Sequence, residues 1–203
     1  MEETANKKAF AEVIESSLTQ CTGQTWQWDH FPEYGSLVCI RLAEKIFFGI
    51  VTHVNTGSPD NGRTPFIYKK TEKELQREHP HIFAFLQTTF SCALVAFQDQ
   101  ARLFYQTPPT PIKIHSFIEK PSEQEQRLFF TRHDYLFSLH ALGHLTNDEL
   151  LNALIRQQHQ LGTLTKEHLF NCIDTLMLLD GDNYRRARTL IERSGSLIQK
   201  HYQ

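Results

Sequence analysis

Ile46-Phe47-Phe48-Gly49-Ile50-Val51-Thr52-His53-Val54, running on into Asn55-Thr56-Gly57-Ser58-Pro59-Asp60-Asn61-Gly62-Arg63-Thr64-Pro65-Phe66, is the stretch on which the fold turns. Its first half is β-branched and aromatic, the composition of a strand. Gly49 in mid-strand marks a close approach or sharp coiling. The second half carries two glycines and two prolines and reads as a structured loop. Arg63, beside Gly62, is the residue of that loop placed to meet a carboxylate or phosphate. The loop lacks the lysine of a phosphate loop, and the chain has no Walker A or GxGxxG sequence. The plainer reading has Gly57 and Gly62 supplying turn angles and Arg63 pairing with a local acid.

Upstream, residues 1–8 read as a frayed polar tail. Phe10–Glu15 is a half-buried strand, and Gln20–Trp28 a second, with Trp26 and Trp28 on one face by period-2 spacing. Ser36–Leu42 is nearly all apolar, which predicts cover on both faces. Downstream, Lys69–Glu78 is a charged helical segment ended by Pro80, which can itself open a second short helix. Strand character returns at Ser91–Phe97 and Ala101–Tyr105, with Gln98-Asp99-Gln100 as the turn between them. Ile112–Ile118 is a last short strand or sheet edge. Six or seven short strands with one helical insertion suggest a small barrel or sandwich.

From Ser122 the pattern is helical. Glu123–Phe130 and Asp134–Ala141 are short helices. Thr146 and Glu149 form a capping box for a helix with Leu150, Leu151, Leu154 and Ile155 on one face. Thr165 caps the next helix, whose stripe is Leu169, Phe170, Ile173, Leu176 and Met177. Gly181 stops it, and Asp182 caps the last helix. The expected class is therefore α+β. A small, about six-stranded β-barrel with a short helical insertion occupies 9–121, and an α-helical bundle occupies 122–203.

The chain has 203 residues, 40% apolar and 22% charged, with a net charge of −2. Nothing global draws it to nucleic acid or anionic lipid. Fifteen phenylalanines point to an aromatic core or a sticky interface. Four scattered cysteines, a polar start without a secretory apolar region, and no apolar run of ~18 residues predict reduced thiols in a cytosolic protein without a membrane span.

Catalytic signatures are absent. His140 and His144 are four apart, as metal ligands on one helix would be, but Gly143 intervenes and no HExxH glutamate follows. They read as helix-end histidines, and His79-Pro80-His81 as flanking a helix break. No metal, cofactor or catalytic residue is expected. Arg185, Arg186, Arg188 and Arg193 of the last helix fall opposite Ala187, Leu190, Ile191 and Ile198, as on a solvated face. Together with Trp26 and Trp28 they are also the candidate nucleic-acid contacts.

The strand pair Gly35-Ser36-Leu37-Val38 and Phe48-Gly49-Ile50-Val51, followed by Asn55-Thr56-Gly57-Ser58 and Gly62-Arg63, resembles HAS-barrel domain proteins. The name refers to the β-barrel shared by HerA-type ATPases and the ATP synthase catalytic-head subunits, and the likeness is to the stand-alone, cyanobacterial-type members. Val13–Ser17, Glu78–Ile82, Thr88-Thr89-Phe90 and Gly181–Tyr184 extend it over most of the chain. The resemblance implies a six-stranded barrel used as a collar or docking surface. It brings no catalytic residue, and the chain has no motor domain. The expected function is a non-enzymatic cytosolic adaptor, its barrel docking on a protein assembly or on itself. The alternative is a nucleic-acid-binding module. An enzyme site assembled around the histidines ranks third.

Overall fold

The computed structural model describes residues 8–58, 66–146, 148–181 and 184–199. The strands are β1 (Ala9–Ser16), β2 (Gln20–Thr25), β3 (Leu37–Leu42), β4 (Lys45–Gly57), β5 (Gln87–Asp99), β6 (Arg102–Phe104) and β7 (Phe117–Glu119). They form one sheet in the order β2-β1-β7-β3-β4-β5-β6, and an additional β2–β5 pairing closes it. Every pairing is antiparallel. Six strands make the ring, while β6 pairs only with the far end of β5. Closure gives the ring strands partners on both sides and removes the edges that invite aggregation.

Alternation along the strands builds two cores. Val38 and Ile40 of β3, Phe47 and Val51 of β4, and Cys92 and Leu94 of β5 fill the lumen. Leu37, Cys39, Phe48, Ile50, Ala93 and Val95 point outward, where helices cover them. Burial on both faces explains why β3 carries an almost unbroken apolar run. Gly49 lies at a register shift between β4 and β5, where an added Cβ would come 3.0 Å from Cys92 Cβ. The close approach expected from its mid-strand position is therefore present.

The covering helices are α2 (Glu123–Phe129), α3 (Tyr135–Ala141), α4 (Asp148–Gln160), α5 (Lys166–Asp180) and α6 (Tyr184–Gln199). Phe129 is the hub between the layers. Its ring lies 5.6 Å from Phe48 of β4, 5.4 Å from Tyr135 of α3 and 5.1 Å from Phe130. The Tyr105 hydroxyl donates to its carbonyl oxygen. Several of the many phenylalanines are thus used where sheet meets helix. Between β4 and β5 the chain makes helix α1 (Glu72–Glu78), capped by a Thr71/Glu74 box, and a 3-10 turn over Pro80–Phe85. No helix among the described residues is long and apolar enough to cross a membrane.

Several sequence expectations need correction. β2 stops at Thr25, whose hydroxyl donates to the Gln27 carbonyl, and the chain bends at residues 26 and 27. β5 continues to Asp99, which pairs with Lys45, so the hairpin turn is Gln100-Ala101 instead of 98–100. The last strand is only 117–119, and it is no edge, since β1 and β3 flank it. α4 is described from Asp148, after a 3-10 turn over His144–Thr146. Phe170 is 55% exposed, while Leu169, Ile173 and Leu176 are buried as expected. The tail at 1–7, the loop at 59–65 with Arg63, the capping-box residue Asn147, the cap Asp182 and the side chain of Ile198 lie outside what is described.

Candidate functional site

A cleft of about 260 Å³ opens where the barrel meets the helical layer. Phe10 of β1 and Leu37 of β3 give it an apolar wall. The 30–36 loop adds His30, Phe31 and Glu33. Gln126 of α2, Gln157 of α4 and Lys120, one residue past β7, supply the polar side.

Local bonds hold the loop in place. The Gly35 amide donates to Val51 O at 2.8 Å, the Val51 amide to Ser36 O at 3.0 Å, and the Ser36 hydroxyl to Glu33 O at 2.7 Å. Gly35 has φ +80°, and a Cβ there would come 2.6 Å from the Ala153 Cβ of α4. Glycine is required both for that backbone angle and for the contact. The His30 ring stands edge-on to Phe10, centroids 5.8 Å apart.

Glu33 accepts the side-chain amide of Gln157 at 2.9 Å and has no cationic partner among the described residues. Lys120 likewise has no anionic partner among them. Gln126 is buried and donates to Pro121 O at 2.8 Å, and its side-chain carbonyl oxygen has no donor among the described residues. The site therefore brings together one carboxylate, one ammonium and uncommitted amide groups against an apolar wall. Sequence reading missed these residues. Glu33 and Gln157 are 124 positions apart, and neither belongs to a spaced motif.

The residues singled out from sequence do not gather into one site. Trp26 is exposed and stands edge-on to Phe117 at 5.6 Å, whereas Trp28 packs on Phe83, also at 5.6 Å. The two indoles therefore have separate partners. Arg186 turns inward, its side chain 16% exposed. It binds Asp148 at 2.6 Å and donates to the Leu145 carbonyl, joining α6 to the start of α4. Arg188 pairs with Glu192 on its own helix, Arg193 pairs with Glu149, and Arg185 is exposed.

His140 lies in the last turn of α3, and His144 follows in the 3-10 turn beyond Gly143, φ +74°. The two are therefore on different helical segments. Among the described residues no three His, Cys, Asp or Glu side chains group to hold a metal ion. All four cysteines are buried and free.

A second feature is the described part of the β4–β5 connection, residues 66–86. α1 and the following 3-10 turn bury no residue. Phe66, Ile67 and Phe85 are 76%, 78% and 64% exposed. Phe66, Tyr68, His79 and His81 touch one another in a row with centroids 5.1, 5.2 and 5.9 Å apart.

No family model matches the chain, and no curated protein matches it.

Proposed function

We propose that this protein is a non-enzymatic cytosolic adaptor or assembly module, a HAS-like barrel that docks on a protein partner or on a second copy of itself. In this reading residues 122–203 act as a helical bundle that adds a second surface. The observation carrying the proposal is the apolar display of the 66–86 segment. Phe66, Ile67 and Phe85 project where neither core uses them. Large apolar side chains left in water on one segment are what a surface covered by another molecule displays.

The test is the triple variant Phe66→Ser, Ile67→Ser, Phe85→Ser. Sedimentation of the native protein is expected to show self-association, or a complex with its physiological partner, that the variant loses. The thermal midpoint should hardly move, because the three side chains lie outside both cores. A native protein that is monomeric and partner-free, or a variant that assembles unchanged, overturns the proposal.

A further inference from the structure

Several opposite charges on this protein find each other. Lys45 pairs with Asp99, Arg41 with Glu125, Arg186 with Asp148 and Arg193 with Glu149. The cleft between barrel and helices brings two charges of opposite sign to one wall without joining them. Glu33 and Lys120 both line it, they do not pair with each other, and neither has an ionic partner among the described residues. Among the described residues, the side-chain bond to the Glu33 carboxylate comes from a neutral amide, Gln157. The Gln126 carbonyl oxygen is also left to accept.

A ligand matching this wall carries both signs of charge and an apolar part. The ammonium end suits the Glu33 carboxylate and the Gln126 carbonyl oxygen, and the carboxylate end suits the Lys120 ammonium. The remaining wall, with Phe10, Leu37 and Phe31, takes an apolar side chain. The volume, about 260 Å³, falls below the ~300–1,000 Å³ of pockets that hold drug-sized molecules. We propose that the cleft binds a free α-amino acid with an apolar side chain. This binding does not depend on docking through the 66–86 segment, which lies outside the cleft.

The experiment is calorimetric titration of the full chain with leucine, N-acetyl-leucine, which lacks the ammonium, and leucinamide, which lacks the carboxylate. Leucine is expected to bind, and each analogue to bind about tenfold more weakly or worse, as the loss of one charge-assisted contact implies. Lys120→Met should weaken leucine by a similar factor and leave leucinamide unchanged. Glu33→Gln should weaken leucine and leave N-acetyl-leucine unchanged. Both side chains are exposed, so both variants keep the fold, checked by an unaltered thermal midpoint. The proposal is overturned by an absence of leucine binding up to millimolar concentration, by equal affinity for the three compounds, or by variants that bind leucine as the parent does.

Discussion

Arg41 of β3 grips the Glu125 carboxylate of α2 with one nitrogen, Nη2 lying 2.8 Å from Oε1 and 3.0 Å from Oε2. Its Nε donates at 3.2 Å to Glu119 of β7, whose side chain is only 8% exposed. One guanidinium thus joins two barrel strands to the first covering helix. Glu125 also accepts from the Ser122 amide and hydroxyl, both at 2.8 Å, so the same carboxylate caps α2.

Removing that guanidinium strands Glu119 in a nearly dry site. Arg41→Met is expected to lower stability by about 2 kcal/mol, less than for a fully buried pair because Arg41 is partly exposed. Arg41→Met combined with Glu119→Gln should recover part of the loss. Urea unfolding measures both. Burial works to raise the Glu125 carboxyl, but Ser122 and Arg41 outweigh it and hold the group below its ordinary 4.5. Its contribution is therefore complete above pH 4.5 and fades as the pH falls through the lower folded value.

His133 gives a second, separable acid effect. Its ring lies 4.4 Å from that of His168 on α5, and its buried Nε2 has no hydrogen-bond partner among the described residues. Burial first, and then the neighbouring imidazole, push its pKa from 6.5 down to about 4. The unfolded chain takes up this proton between pH 6.5 and 4 while the folded chain does not, so stability falls on acidification through that window. His144, also lowered by burial, adds to the fall in the same direction. His133→Phe should remove roughly 1–2 kcal/mol of the pH dependence, a figure discounted because the ring is only half-buried. Unfolding midpoints at pH 7, 5.5 and 4 for parent and variant provide the check.

The β5–β6 hairpin is closed by Gln100 and Ala101 at φ +47° and +70°. Two central residues at positive φ match the twist of a two-residue hairpin but strain any side chain. Ala101→Gly is expected to raise stability by about 1 kcal/mol, read from the denaturant midpoint.

Cys21 and Cys92 face each other across the β2–β5 seam that closes the barrel, both at 1% exposure or less. Burial and the neighbouring Cys21 raise the Cys92 thiol well above its ordinary value, and burial pushes Cys39 and Cys172 up to about 12. Thiolates are the reactive form, so the native protein should resist alkylation by iodoacetamide at neutral pH. All four cysteines should label in denaturant, as mass spectrometry would show. Rapid modification of the native chain would mean that the barrel seam opens readily.

Much of the fold was legible because it rests on local periodicity. The nearly unbroken apolar run from Leu37 to Leu42, the Thr165 cap, and the Leu150, Leu151, Leu154, Ile155 face are all present. The misreadings fall where a distant contact overrides a local pattern. Trp26 and Trp28 keep strand spacing, but β2 stops at Thr25 and the chain bends at residues 26 and 27. The Arg186 spacing fits an outer face, yet Asp148 and the Leu145 carbonyl draw it inward. The cleft was not legible at all, because Glu33, Lys120, Gln126 and Gln157 share no spacing.

By itself, then, the sequence determined that this chain builds short strands buried on two faces and then amphipathic helices, since burial at alternate or 3.6-spaced positions leaves a periodic trace. Only the tertiary structure decided that β7 enters the ring between β1 and β3, that β2 closes on β5, and that Arg41 meets Glu119 across 78 positions. Those pairings depend on which distant surfaces complement each other once the ring shuts. Such complementarity has no period, so it leaves no mark on any single stretch of the chain.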